Sequence, residues 1–399
     1  SKSLETNPEI LWDTYGVPHI YADNYNDLFY AYGWSQMRNH GNLLLKLYAQ
    51  ARGQGAEYFG EKHLKSDQWV HTHNVMQRSR DWWEKQDPDI QKMMTAFTDG
   101  INDYAKENPD EIDELNQLIL PARPEDCFSH FQRVILFHFV TNPGVATFNP
   151  ASMIKDRGSN TWAIGPSRSE SGNAMLIANP HLPWFDMFTW FEAHTISRDL
   201  NAYGAGLVGM PFLGIAFNDY MGWSHTNNVH DGQDLYELTL KGDGYQWGEE
   251  VLQFEERSVE IKVRDDEGNT SASEFLIRES VHGPVVSEKD GKAYALRVVG
   301  LDQPHVFRQY FDMARAKTLK SFQDAIRPLQ NPFFTIMYAD KDGHIMHVFG
   351  GRTPIRPAGD WNWLGVVPGD SPETIWNETH SYDELPKSID PESGWLQNA

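Results

Sequence analysis

A serine near the middle of the chain has the residue type and the setting for nucleophilic chemistry. Gly158-Ser159 leads into Asn160-Thr161-Trp162-Ala163-Ile164, whose composition predicts a β-strand. Cleavage between Gly158 and Ser159 would make the serine N-terminal, and its α-amino group, with a pKa of about 7.7–8.0, would lie beside its own hydroxyl. One residue would then supply both nucleophile and base. Taken alone, a Gly-Ser pair is more often a simple turn before a strand, so the flanking segments must decide.

Eight short segments, spread over nearly the whole chain, decide how the Gly-Ser pair is interpreted. They occupy residues 13–22, 27–53, 157–165, 179–184, 223–227, 338–345, 368–370 and 394–398. In composition and order these segments resemble the penicillin acylase and acyl-homoserine lactone acylase family of N-terminal nucleophile (Ntn) hydrolases. The resemblance implies an amidohydrolase that removes an acyl chain from an N-acylated small molecule through an acyl-enzyme on Ser159.

The resemblance also implies three residues that assist Ser159. The backbone N–H of Asn227 and the side-chain amide of Asn398 would stabilise the oxyanion, which is usually the largest single contribution to acyl transfer. Asn228 is an alternative to Asn227, because the match at this position depends on counting along the segment. His181 would contact the amino group and the hydroxyl of the nucleophile. The alternatives are asparagines in ordinary turns and a buried structural histidine.

Apolar side chains near these positions are candidates for a pocket that holds the acyl chain. The candidates are Leu182, Trp184, Phe185, Phe188, Phe139 and Phe148, with Phe212 and Leu213 as further ones. Each of them has an alternative role in the hydrophobic core. By resemblance, the run that starts at His181 favours substrates of the acyl-homoserine lactone or lipopeptide type. A penicillin or cephalosporin acylase is one alternative, and a non-catalytic binder of acylated molecules is another.

A short acidic segment after Asn227 is the candidate for a structural calcium site, which the resemblance implies. Asp231 and Asp234 would supply carboxylates, Gln233 a carbonyl oxygen, and Pro354 a further carbonyl. Such hard oxygen ligands are the ones that Ca²⁺ prefers. The alternative is a solvated acidic turn.

Composition excludes some classes of partner. The formal net charge of −22 argues against binding to nucleic acid or to an anionic membrane surface, since both would be repelled. With 40% hydrophobic residues, the sequence contains no run of 18 apolar residues that would predict a membrane span. Cys127 is the single cysteine, so no disulfide forms within the chain. The resemblance implies export to the periplasm or beyond, with a leader already removed.

The pattern of elements predicts helices first and strands afterwards. We expect a strand over residues 10–22 with a Tyr-Gly turn inside it, a helix from about Leu28 to Ala51 capped by Asn26 and Asp27, one or two acidic helices over 88–118, and an apolar helix over 128–140. After Ser159 the prediction is short strands, at 161–165, 174–178, 202–207, 215–217 and 236–240, then hairpins with turns at 242–244, 265–269 and 289–291. This order is typical of an α+β fold.

The resemblance refines this fold to a four-layer αββα sandwich in two parts. Residues 1–158 would form a mainly helical part with a short linker, and residues 159–399 a β-rich part that begins at the nucleophile. The two parts would associate as a heterodimer after cleavage. Family members continue well beyond the matching asparagine, so we expect the second part to be truncated.

Overall fold

The computed structural model describes residues 7–141, 143–147 and 158–398. Its α-helices, in chain order, are α1 (Tyr25–Ala51), α2 (Gly55–Phe59), α3 (Leu64–Thr72), α4 (Val75–Glu84), α5 (Pro88–Glu107), α6 (Glu114–Gln117), α7 (Pro124–Phe131), α8 (Val306–Arg315) and α9 (Leu319–Ile326). Helix α7 continues as a π-helical segment, Gln132–Val140. Short 3₁₀ turns occupy Glu61–His63, Pro109–Glu111, Pro143–Thr147, Pro166–Arg168, Asp186–Phe188 and Pro372–Thr374.

The strands form three sheets. In chain order they are β1 (Glu9–Trp12), β2 (Pro18–Tyr21), β3 (Gly158–Ile164), β4 (Met175–His181), β5 (Trp190–Ser197), β6 (Leu200–Leu207), β7 (Ile215–Asn218), β8 (Met221–Thr226), β9 (Gln233–Lys241), β10 (Gly244–Trp247), β11 (Glu250–Gln253), β12 (Glu255–Arg264), β13 (Thr270–Ser280), β14 (Gly283–Lys289), β15 (Lys292–Val298), β16 (Thr335–Asp340), β17 (Ile345–Val348), β18 (Val366–Pro368), β19 (Lys387–Ile389) and β20 (Trp395–Asn398).

The largest sheet has nine strands in the order β1-β2-β5-β6-β7-β8-β16-β17-β19. The two strands before Ser159 join it through the parallel pairing of β2 with β5, in which His19 lies opposite His194. Helices α1, α5 and α8 cover one face, and their buried side chains share a single hydrophobic core with the strands. That core contains residues from both sides of the Gly158–Ser159 bond, so the two parts of the chain are packed together as one structure.

A three-stranded sheet, in the order β20-β3-β4, covers the other face of the nine-stranded sheet. Strand β16 shows how the layers are arranged, because successive side chains of a strand point to opposite faces. Ile336 and Tyr338 belong to the core beneath the helices, whereas Met337 and Ala339 pack with Ala163 of β3. Helices, large sheet and small sheet are thus three successive layers, and the α+β fold is confirmed.

The eight-stranded sheet lies to one side and is built from hairpins. Its strands run β11-β10-β9-β15-β14-β13-β12, with β18 parallel to β9. The turns expected at 242–244, 265–269 and 289–291 each connect two antiparallel strands. Asp265 shows why such turns form, since its carboxylate accepts hydrogen bonds from the backbone N–H groups of Glu267 and Asn269.

Several element boundaries differ from the sequence prediction. Helix α1 begins at Tyr25, three residues before Leu28, because the side chain of Asn24 rather than that of Asn26 or Asp27 caps it, accepting from the Asp27 N–H at 2.9 Å. Residues 10–22 form two strands, β1 and β2, joined by a turn. Helices α2, α3, α4, α8 and α9 were not expected. Of these, α4, α8 and α9 have one apolar face, yet their short lengths give a weak sequence signal.

Within the described ranges, none of the helices has both the length and the apolar character that crossing a membrane requires.

Candidate active site

Ser159 lies in strand β3, at the rim of an internal cavity. In the pairing of β3 with β4, Gly158 is opposite His181 and Ser159 is opposite Pro180. The side chain of Ser159 is 8% exposed, and its hydroxyl donates a hydrogen bond of 2.7 Å to the carbonyl oxygen of Gly158. The serine hydroxyl is therefore held against the peptide bond that the sequence analysis marks for cleavage.

The ring of His181 lies directly against Gly158, so a side chain at position 158 would displace the ring. A Cβ atom on Gly158 would lie 2.4 Å from Cε1 of that ring, which is closer than real Cβ contacts approach. The ring is oriented by Asn160, because His181 Nε2 donates to Asn160 Oδ1 at 3.0 Å. His181 thus lies beside the Gly158–Ser159 bond.

Asn398 reaches the same region from the end of the described chain. Strand β20 pairs with β3 so that Asn398 is opposite Thr161. Its Nδ2 donates to Nε2 of His347 at 3.0 Å and lies 3.5 Å from Oγ1 of Thr335. His347 accepts this bond in its neutral form, and burial lowers the pKa of the imidazole from its ordinary value.

Asn227 follows the last residue of β8 and lines the same cavity as Ser159. Its neighbour Thr226 is opposite Thr335 in the pairing of β8 with β16, and the two hydroxyls are hydrogen-bonded. Thr335 therefore links the ends that carry Asn227 and Asn398. The side chain of Asn228 is buried and bonds to backbone groups of Gly350 and His230, which is the arrangement of a structural asparagine.

The cavity beside Ser159, which we term the proximal cavity, has a volume of about 60 Å³ and is lined mainly by apolar side chains. Of the candidates from the sequence, Leu182, Phe139 and Phe212 line it.

The other pocket candidates lie elsewhere. Trp184 and Phe185 are 95% and 67% exposed and do not line the proximal cavity. Phe188 is buried against the rings of His138 and Phe139. Leu213 faces a neighbouring cavity, and Phe148 lies outside the described residues.

A buried polar chain forms part of the proximal cavity wall. Nδ1 of His225 lies 3.1 Å from the carbonyl oxygen of Thr335, which can only accept, so this nitrogen carries the proton. Nε2 then accepts from the hydroxyl of Tyr310 at 3.1 Å, and that hydroxyl accepts in turn from Asn331 Nδ2. Burial lowers the pKa of His225 to about 4, so the ring is neutral at neutral pH.

The expected calcium ligands are arranged around an arginine. Nε of Arg356 lies 3.0 Å from Oδ2 of Asp234, and its Nη2 lies 3.0 Å from Oδ2 of Asp231. The same Nη2 donates to the backbone oxygen of Asp231 at 3.0 Å and lies 3.4 Å from that of Gln233. The oxygens proposed for calcium thus face a guanidinium in this arrangement, and a calcium ion could bind them only if Arg356 moved away.

The carboxylate of Asp234 is buried, so the guanidinium of Arg356 beside it supplies a compensating positive charge. The Asp234 side chain has no exposed surface, and burial raises its pKa to about 6 even though Arg356 and the indole N–H of Trp376 bond to it. Pro354, the fourth expected ligand, instead pairs with Thr379 in a β-bridge.

Together, the serine at the start of β3, the layered α+β architecture and the adjoining apolar cavity define an Ntn-hydrolase fold. A thermostable penicillin G acylase from Alcaligenes faecalis has a similar structure, with a TM-score of 0.54 and 26% identity over 60% of this chain and 43% of that one. The sequence model described as penicillin amidase matches residues 7–399. The chain belongs to the penicillin amidase family.

Two curated relatives that the sequence resembles are described as acyl-homoserine lactone acylases. An acyl-homoserine lactone acylase PvdQ from Pseudomonas fluorescens Pf0-1 is 25% identical, over 87% of this chain and 50% of the relative. An acyl-homoserine lactone acylase QuiP from Pseudomonas aeruginosa PAO1 is 24% identical, over 100% of this chain and 55% of the relative. The chain spans about half the length of the curated relatives it matches.

Sequence reasoning missed four residues of the site, namely Tyr310, Asn331, Thr335 and His347. None of them stands in a segment that carried the resemblance, and Tyr310 lies on a helix that was not expected. The one available signal concerns Asn331 and Thr335, which are polar residues at the two ends of the apolar segment Pro332-Phe333-Phe334.

Proposed function

We propose that this protein is an acylase that hydrolyses a linear amide and transfers the acyl group to Ser159. The observation that carries the proposal is the position of the Ser159 hydroxyl, which lies at the rim of an apolar cavity and beside its own preceding peptide bond. A nucleophile with an apolar cavity next to it suits a carbonyl group attached to a hydrocarbon chain.

The first step of the proposal is self-cleavage. The Ser159 oxygen attacks the carbonyl carbon of Gly158, the C–N bond breaks, and the acyl group moves from nitrogen to oxygen. Water then hydrolyses the resulting ester, which leaves Gly158 with a free carboxylate and Ser159 with a free α-amine. Support comes from the 2.7 Å contact between the hydroxyl and the Gly158 carbonyl, and from the absence of a side chain on Gly158. The two products would remain associated as a heterodimer, because one hydrophobic core contains residues from both.

Turnover follows from the freed amine. The α-amine accepts the hydroxyl proton while the Ser159 oxygen attacks the substrate carbonyl. The Asn227 N–H and the Asn398 amide then donate to the developing oxyanion. Collapse of the intermediate expels the amine product with the proton, and water hydrolyses the acyl-enzyme to release a carboxylic acid. His181 would hold the amine of Ser159 in position.

An aliphatic acyl chain is the substrate that the lining of the cavity favours. Leu182, Ile135, Leu207, Met210 and Ile215 supply aliphatic surface, and the PvdQ and QuiP relatives are described as acting on acyl-homoserine lactones. The second candidate is a penicillin acylase. The similarity to penicillin G acylase and the aromatic rings of the cavity, such as Phe139 and Phe334, favour it.

One experiment tests the central proposal. The protein expressed from its complete gene is analysed by intact mass spectrometry and then assayed with N-decanoyl-homoserine lactone and with penicillin G. We expect a product that begins at Ser159 and faster turnover of the lactone. An uncut chain without hydrolysis would contradict the proposal, and a strong preference for penicillin G would select the second candidate.

Export to the periplasm and a structural calcium ion also belong to this proposal, and both are supported by the family resemblance alone. Fractionation of cells that express the complete gene tests the location. A calorimetric titration with CaCl₂ tests the metal. Binding at micromolar calcium would require Arg356 to leave the oxygens of Asp231 and Asp234.

A further inference from the structure

A second apolar cavity lies directly behind the proximal cavity. This distal cavity has a volume of about 40 Å³ and lies between helices α1, α5 and α8 and the nine-stranded sheet. Its lining is almost wholly apolar and includes Leu28, Met93, Leu213 and Phe311. By the volume that one water-sized group needs, about 10–15 Å³, the proximal cavity holds about four to six such groups and the distal cavity about three or four.

Two aromatic rings line both cavities, so they form the wall between them. The rings of Phe212 and Tyr310 are stacked, with centroids 4.0 Å apart and planes inclined by 9°. Both residues line the proximal cavity beside Ser159, and both line the distal cavity. A chain that enters next to Ser159 and extends away from it therefore meets this stacked pair.

The two rings differ in how firmly they are held. The hydroxyl of Tyr310 is fixed by His225 and Asn331. Phe212 has no polar group on its side chain, and its ring packs against the aromatic rings of Tyr310 and Phe307, the latter at 5.5 Å between centroids. Rotation of the Phe212 side chain is the movement that opens the wall at the least cost in broken hydrogen bonds.

The backbone that carries Phe212 is fixed, so its side chain decides whether the wall is open. Gln36 bonds to both Gly209 N–H and Met210 C=O, at 2.9 and 3.0 Å. A Cβ on Gly206 would lie 2.1 Å from the Phe212 carbonyl oxygen, which shows how closely the loop lies on strand β6. Shortening the Phe212 side chain would therefore connect the cavities without requiring the loop to move.

We propose that Phe212 limits the length of the acyl chain that the site accepts, and that the distal cavity is a subsite for the end of longer straight acyl chains. The inference rests on the proposed function, since it takes the proximal cavity as the acyl site. With the ring in place the chain is confined to the proximal cavity. With the ring turned aside or removed, further methylenes enter the distal cavity.

The test measures two chain-length profiles on the protein from the complete gene. Binding of straight-chain fatty acids from butanoic to tetradecanoic acid is measured by calorimetry, and kcat/KM is measured for N-acyl-homoserine lactones over the same lengths. In Phe212→Ala we expect both profiles to move toward longer chains, with affinity rising about fourfold for each of about three additional methylenes. Phe212→Trp should move them toward shorter chains.

Two further variants separate the wall from general effects. Phe212→Leu retains more of the core and should show a smaller shift in the same direction, which covers the case in which Phe212→Ala folds poorly. Phe254→Ala removes the same atoms from the separate hydrophobic cluster of the eight-stranded sheet, and its profile should match that of the wild type.

Each outcome has a defined meaning. An unchanged profile in folded Phe212→Ala and Phe212→Leu, or an equal shift in Phe254→Ala, would overturn the proposed subsite. If no variant hydrolyses any lactone but the fatty-acid profiles shift as expected, the subsite is supported and the proposed hydrolysis of acyl-homoserine lactones is refuted.

Discussion

The three-stranded and eight-stranded sheets of this protein are assembled in different ways. In the eight-stranded sheet most neighbours are consecutive along the chain, as in the long β12–β13 hairpin where Glu255 pairs with Glu279 and Arg264 with Thr270. In the three-stranded sheet, β3 pairs with β20, which lies at the other end of the β-rich part. The eight-stranded sheet is therefore formed mostly by segments that are neighbours in sequence, whereas the three-stranded sheet joins segments that are far apart in sequence.

Three of the four candidate catalytic residues, Ser159, His181 and Asn398, lie in the three-stranded sheet, and Asn227 follows strand β8 of the nine-stranded sheet. Pairing of β3 with β4 places His181 beside the Gly158–Ser159 bond, and pairing of β3 with β20 brings in Asn398. The eight-stranded sheet carries instead a buried ion pair, Arg356 with Asp234 of β9. A hairpin needs only a turn and two compatible strands, whereas a group of reacting side chains needs segments that the chain brings together only on folding.

Among the variants that compare the two sheets, Ser159→Ala in the three-stranded sheet is expected to have the largest effect on catalysis. Loss of the nucleophile should lower kcat/KM for amide hydrolysis by about 10⁴-fold or more, and the chain should remain uncut. Ser197→Ala is the control, because Ser197 is also buried but ends strand β5, outside the lining of the proximal cavity. Retention of activity by Ser159→Ala would refute the role of the three-stranded sheet in catalysis.

Arg356→Gln tests the eight-stranded sheet through stability. It leaves the carboxylate of Asp234 buried without its charged partner, and such losses cost about 3–5 kcal/mol. Urea unfolding should show this decrease, while kcat of the folded protein should change little. Arg327→Gln, which removes an exposed pair with Asp383, should cost much less, because solvent screens that pair. Equal losses in the two variants would contradict the structural role of the Asp234 pair.

Asn398→Ala should lower kcat by about 10²–10³-fold, because it removes a proposed donor to the oxyanion. Its effect on urea unfolding should be small. Gln397→Ala is the matched control, since Gln397 is the preceding, exposed residue of the same strand and points to the opposite face. If both variants lose activity equally, strand β20 has a structural role and Asn398 is not a specific donor.

The smallest expected effect concerns His225 and pH. Its folded pKa of about 4 lies below the ordinary value of 6.5, so the unfolded chain binds the proton first as the pH falls. Its neutral form therefore contributes stability that is lost between about pH 6.5 and pH 4, by about 3 kcal/mol in the limit. Urea unfolding at pH 7 and pH 4.5 should show a smaller pH dependence for His225→Gln than for wild type. An identical pH dependence would mean that His225 is not buried in its neutral form.

The candidate nucleophile, the strand that contains it and the hairpin turns were predictable from residue types and local order. Gly-Ser before a strand, Asn-Pro-His after it, and Asp-rich turns are contiguous signals, and the described structure places Ser159, His181, Asn227 and Asn398 around one region. The cap of α1 was wrong by a few residues because Asn24, Asn26 and Asp27 are all able to cap a helix. The pocket candidates were less predictable, since an exposed ring such as Trp184 and a cavity ring such as Phe139 have the same local signature.

Only tertiary packing decided what surrounds these residues. Arg356 is distant in sequence from Asp231 and Asp234. Its guanidinium lies among the oxygens for which the family resemblance implied a calcium ion. Likewise, Phe212 lies in a loop and Tyr310 in helix α8, and neither local sequence predicts that the two rings stack. Local order along the chain determines which chemical groups are present and which turns form. Distances between remote segments depend on how the whole core is filled, and those distances determine which groups meet.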